Sequence, residues 1–148
     1  MERGNGFGDV VELKRKLSIT PILCVKSVDR SIEYYKTRLG FTVGFRWSDD
    51  VNQMLKESDP QRATFASIFL EETEIFLSEM SQGKPGTWLC LNFEVKKDLD
   101  QFYGKIKNAG AIISGDMEFK PWGMHEVLVS DLDGHFLRFG APAESHSS

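Results

Sequence analysis

The chain has 148 residues, a formal net charge of −4 and 41% hydrophobic residues. That is the composition of one folded domain, able to bury roughly two thirds of its unfolded surface without disulfides or structural metals. The mild acidity suits a cationic ligand and equally an ordinary soluble protein; it excludes a phosphate-backbone binder, so no nucleic-acid partner is expected. The two cysteines, Cys24 and Cys90, have no CxxC spacing, which argues against a zinc knuckle or a disulfide framework. Both are expected to be reduced and buried, in a cytoplasmic protein. No run approaches the ~18 apolar residues of a membrane span. Residues 1–16 lack the apolar core of a signal peptide and are expected to form a flexible segment.

In chain order, the first strand pattern is SITPILCV (18–25). Val28, Ile32, Tyr35 and Leu39 then recur at helical spacing. Asp29 falls in the first turn, where a negative charge meets the helix dipole favourably. Gly40 follows the last periodic residue, as a left-handed cap requires. FTVGFRW (41–47) reads as a strand. The polar stretch SDDVNQMLKESDPQ (48–61) predicts a long loop near a cleft rim, with room for a helical turn. ATFASIFL and EIFLSEM, either side of a turn at Glu71-Glu72-Thr73, predict a hairpin.

SQGKPG (81–86) has the composition of a linker, and beyond it the pattern repeats. VKSVDRSIEYYKTRLGF and VKKDLDQFYGKIKNAGA begin 70 residues apart, at Val25 and Val95, and their closing glycines, Gly40 and Gly110, are 70 apart as well. Leu99, Phe102, Ile106 and Ala109 form the second helical stripe, with Asp98 in its first turn. The strand TWLCLNFEV precedes it and AIISGDMEF follows. HEVLVS and HFLRFG then flank DLDG, and Asp-Gly turns are strong hairpin signals. The predicted fold is α+β: two tandem β-α-β-β-β modules forming a curled mixed sheet around a cleft. Their boundaries are a segment at 1–16, modules at 17–80 and 87–140, a linker at 81–86 and a flexible tail at 141–148. Phe41, Phe65, Phe93 and Phe139 are expected in the core.

The stretch PWGMHEVLVSDLDGHFLRFG (121–140) gathers His125, Glu126 and His135 and raises the question of a metal site. His135 is expected at the exposed edge of the turn. His125 should point opposite to Glu126 on a regular strand and is expected at the surface or pocket edge. No G-x-S-x-G elbow, P-loop or strand-borne G-x-G-x-x-G is present.

The tandem pattern resembles the vicinal oxygen chelate superfamily of glyoxalases, extradiol dioxygenases and bleomycin-resistance proteins, over residues 17–140. SIEYYKTRLGF is similar to the family's first helix. DLDGHFLRFG is similar to its closing hairpin, with Leu132 where proline is usual. PWGMHE is closest to the bleomycin-resistance branch, with His125 in place of the arginine of an Arg-Glu pair. The resemblance implies metal-ligand positions at Thr20, Cys90, Arg138 and, in a looser alignment, Leu77. Arginine offers no lone pair and carries a fixed charge, and leucine has no donor. A lone cysteine falls short of the three or four converging ligands a site needs. The expectation is therefore no metal and no cofactor.

In the same branch, the tryptophan matching Trp122 borders the drug cleft, and Phe45 and Asn92 fall near other cleft positions. With Trp47, His125 and Arg138 these make the candidate ligand-binding set. Arg138, if it faces inward, needs an anionic partner. Glu94, Glu126 and a ligand anion are the alternatives, an internal salt bridge being favoured. The implied function is metal-free binding of a small molecule, an antibiotic or another ligand, by sequestration, in a homodimer with clefts at or near the subunit interface. A metal-dependent lyase, isomerase or dioxygenase with displaced ligands, and a non-catalytic partner-binding module, are the rival readings.

Overall fold

The computed structural model describes residues 17–143. The expected flexible segment at 1–16 lies outside them, as does the end of the tail. Module one comprises β1 (Ile22–Val25), α1 (Val28–Leu39), β2 (Thr42–Ser48), β3 (Gln53–Leu55), β4 (Phe65–Leu70) and β5 (Thr73–Glu79). Module two comprises β6 (Trp88–Asn92), α2 (Lys96–Ala109), β7 (Ile112–Phe119), β8 (Met124–Ser130) and β9 (Phe136–Pro142). β9 thus runs two residues past Gly140.

Each module builds its own mixed sheet, in the orders β1-β5-β4-β2-β3 and β6-β9-β8-β7. The one parallel pair in each joins the first strand to the last, β1 to β5 and β6 to β9. That pairing is the consequence of a helix carrying the chain across the sheet. Gly40 and Gly110 close the two helices at φ 78° and 85°, a backbone conformation that glycine adopts without a Cβ clash.

The stretch 48–61 departs from the expected loop. Its centre is β3, which pairs antiparallel with β2 and sets Trp47 opposite Met54. Asn52 makes the turn at φ 53°, a left-handed conformation asparagine tolerates. Arg46 holds the return limb: its guanidinium donates to the Lys56 and Gln61 carbonyls and pairs with Asp29 at 2.8 Å. Module one therefore carries a strand that module two lacks.

The helices cover one face of each sheet. Leu23, Val25, Ala66, Ile68, Ile75 and Leu77 meet α1 within a single cluster that also takes in Leu99, Ile106, Val127, Val129, Leu137 and Phe139 of module two. Phe41 and Phe139 are fully buried, whereas Phe65 and Phe93 are only partly so. Phe65 falls short because alternation on β4 sends Ala66 and Ile68 to the helix side and Phe65 to the other. Cys24 is buried; Cys90 is exposed, contrary to expectation, since the alternation of β6 packs the partly buried Leu89 and Leu91 against the core instead.

The DLDG turn docks on module one. Asp133 accepts from the Lys26 amide and the Ser31 hydroxyl, and Asp131 accepts from the Tyr35 hydroxyl at 2.8 Å. Tyr34 donates to the Ser130 carbonyl and accepts from the Ile112 amide. His135 is fully buried in this seam, where the sequence predicts solvent exposure. The turn folds back onto α1, so its edge becomes interior.

Candidate functional site

Cross-strand register decides which side chains share each helix-free face. On module one, Trp47 sits opposite Phe65, Phe45 opposite Ser67, and Phe76 beside Ile22. Phe45, Phe65 and Phe76 form a continuous aromatic wall, with ring centroids 5.1 to 6.1 Å apart. A pocket of about 340 Å³ opens on it, lined by Phe45, Trp47, Met54, Phe65, Asp49 and Thr64 among others. Asp49 accepts from the Thr64 hydroxyl and the Trp47 indole. Those two hydrogen bonds hold its carboxyl below the usual carboxylate range.

On module two, Arg138 lies between Cys90 of β6 and Leu128 of β8. With Trp88, Glu118, Lys120, Trp122 and Glu126 it lines a pocket of about 220 Å³. Trp122 follows Pro121 at a corner closed by Gly123 at φ 87°. The residue is 62% exposed, yet its indole nitrogen donates to Glu126 Oε2 at 2.8 Å. The buried Glu126 carboxylate faces Arg138 Nε through its other oxygen at 3.8 Å, and Arg138 Nη2 donates to Cys90 Sγ at 3.0 Å. Trp88 packs on Phe136, ring centroids 4.7 Å apart.

The six candidates thus separate. Phe45 and Trp47 share the module-one pocket, and Trp122 and Arg138 share the module-two pocket. Asn92 lies on the same face of β6 as Cys90, beside Gly140. His125 is on the opposite face from Glu126: it pairs with Phe119 and the buried Ala141, and its ring meets Phe119 at 4.8 Å. Sequence reasoning missed Trp88, Lys120 and Glu118. The alternation of Trp88, Cys90 and Asn92 along β6 was the available signal for the first.

A third pocket, about 420 Å³, lies between the modules and is lined by Thr20, Phe69, Glu72, Glu74, Leu89 and Cys90 among others. It unites Thr20 and Cys90. Leu77 turns into the core beside α1 and Arg138 lies on the other side of Cys90. Among the described residues no three His, Cys, Asp or Glu side chains stand close enough to hold a metal ion. Among the helix-free partners, Ile22 and Phe76 pair on β1 and β5, and Cys90 and Arg138 pair on β6 and β9. Two apolar groups, a thiol and a guanidinium do not make a divalent-metal site.

The family model for the glyoxalase/bleomycin resistance protein/dioxygenase superfamily matches residues 17–139. The chain belongs to that superfamily. Several solved structures share the fold. TioX from Micromonospora sp. ML1 is 18% identical, with a TM-score of 0.63 over 88% of this chain and 100% of that one. A bleomycin-binding protein solved in complex with bleomycin is 21% identical, with a TM-score of 0.63 over 85% and 98%. A hypothetical protein, SA1046 from S. aureus, is 24% identical, with a TM-score of 0.57 over 84% and 96%. At these identities the likeness shows the fold alone. A search of curated proteins found no match. No helix among the described residues is long and apolar enough to cross a membrane.

Proposed function

We propose that this superfamily member binds a small organic molecule on its helix-free sheet faces and acts by holding it, without a metal and without a chemical step. The observation that carries the reading is the tethering of Trp122. A tryptophan 62% exposed, with its indole nitrogen tied to the buried Glu126, is a flat apolar surface held ready for stacking. Holding it in place beforehand spares part of the ordering cost of binding. The aromatic wall of Phe45, Phe65 and Phe76 supplies a comparable surface on module one.

The protein named above as bleomycin-binding supports a sequestering role, with an antibiotic or another small molecule as ligand. Both pockets are open, and the smaller, at about 220 Å³, is below the ~300–1,000 Å³ of common ligand sites. A homodimer that sets one copy's module-one face near the other's module-two face would complete them.

Elemental analysis of the purified protein, alone and after zinc and manganese supplementation, tests the metal-free reading. Near-zero metal in both is expected, and one metal per chain overturns it. Sedimentation at micromolar concentration tests the dimer.

A further inference from the structure

Arg138 has more hydrogen-bonding capacity than the protein uses. Guanidinium carries five N–H donors in a planar fork suited to a carboxylate. Among the described residues its one hydrogen bond goes to the Cys90 sulfur, a weak acceptor. Its nearest carboxylate oxygen, Glu126 Oε1, is 3.8 Å from Nε, beyond hydrogen-bond reach. The Glu126 charge steadies the guanidinium without occupying its fork. The side chain is 40% exposed, and it faces a pocket walled by Trp88 and Trp122.

The pocket's acids are already engaged. Glu126 accepts from Trp122, Glu118 pairs with Lys120 at 3.1 Å, and Asp116 accepts from the Tyr103 hydroxyl. Lys120 is engaged with Glu118, so among the described residues Arg138 is the base of this pocket with no hydrogen-bonded acid. Three acids against two bases at the same pocket disfavour a ligand of high negative charge, so one anionic group is the match.

We propose that the module-two pocket takes a planar aromatic monocarboxylate, its ring on Trp88 or Trp122 and its carboxylate on the fork of Arg138. This deepens the small-molecule reading above and rests on it.

The test is calorimetric titration of the full-length protein with three probes of one shape: 2-naphthoate, 2-naphthamide and the N-methylquinolinium cation. Naphthoate is expected to bind about tenfold or more tighter than the amide, the margin of a charge-assisted bidentate pair. In Arg138→Gln that margin should vanish while amide binding stays. Arg138→Lys, which keeps the charge but loses the fork, should fall between. Near-ultraviolet circular dichroism confirms that each variant is folded.

Equal affinity for acid and amide, or a margin that survives Arg138→Gln, overturns the proposal and leaves the aromatic-surface reading standing. Preference for the quinolinium probe does the same. Failure of all three to bind counts against both.

Discussion

His135 Nε2 donates to the Cys24 carbonyl at 2.6 Å, while its Nδ1 accepts from the Thr87 amide at 3.0 Å. One neutral imidazole thereby bonds the first strand of module one, the entry to module two and the closing hairpin. Both ring nitrogens are used, and the side chain is fully buried. Replacing it by Ala strands a buried carbonyl and a partly buried amide and opens a cavity. The expected loss is about 3 kcal/mol or more, read as a lower denaturation midpoint in urea. A loss below ~1 kcal/mol would show that the seam does not depend on this residue.

Tyr35 gives the seam a pH dependence. Burial chiefly, and then the charge of Asp131, push its hydroxyl well above the ordinary phenol range; Tyr34 moves the same way, again mainly by burial. In the unfolded chain tyrosine ionises near pH ~10. Above that pH the folded state keeps protons the unfolded state has lost, so stability falls as pH rises toward the folded values. Each affected tyrosine contributes a slope of at most about 1.4 kcal/mol per pH unit. Urea melts at pH 8, 10 and 11 should show the decline, and Tyr35→Phe should flatten it. An unchanged slope in the variant would refute the assignment.

Arg46 is expected to control the β3 hairpin. Its partners are the Asp29 carboxylate and two carbonyls of the return limb, and it connects that limb to the N-terminal turn of α1. Arg46→Ala should speed hydrogen exchange at residues 49–62 more than tenfold, about 1.4 kcal/mol of local stability, with exchange in module two unaltered. Uniform acceleration across both modules would show that the loss is global.

Gly83 allows the linker to pass close to β1. It sits at φ 81°, and a Cβ there would come within 2.9 Å of the Ile22 carbonyl oxygen. Gly83→Ala is predicted to cost about 1–3 kcal/mol, from backbone strain and the forced separation together. Gly86→Ala, at a similar φ but with nothing within 4 Å of the added carbon, isolates the strain term and should cost less. Thermal melts of the two variants decide it, and equal costs would dismiss the close contact.

Trp122→Ala should weaken any ligand of the module-two pocket by about 1 kcal/mol or more, the scale of a stacking contact. Trp47→Ala should leave such a ligand unaffected in the monomer, because the two tryptophans line separate pockets. Equal losses from both variants, in a sample that sediments as a dimer, would place the two faces around one ligand.

Local pattern was sufficient for most of the architecture. Helical spacing from Val28 to Leu39 and from Leu99 to Ala109, glycines past both helix ends and the Asp-Gly turn are properties of neighbouring residues, and the repeat at a spacing of 70 followed from them. The side-chain chemistry that argues against a metal ligand at Arg138 was legible in the same way, since an arginine on β9 is an arginine in any fold. Trp122 and Arg138 were legible as candidates, with Glu126 among the acids offered to Arg138; the hydrogen bond from Trp122 to Glu126 was not, because it depends on which face each strand presents.

The rest waited on tertiary contacts. β3 is three residues long, too short to leave a periodic signal, and it exists because β2 offers an edge and Arg46 draws back the limb behind it. His135 looks like a turn residue to its neighbours; it is interior because the turn docks on module one, where its ring meets the Cys24 carbonyl of β1 and the Thr87 amide. Cys90 looks apolar by its neighbours Leu89 and Leu91, yet the pleat turns those two toward the core and the thiol to the open face. A residue's side of a sheet and its distant partner are set by register and docking between segments far apart in sequence, and only the folded chain brings those segments together.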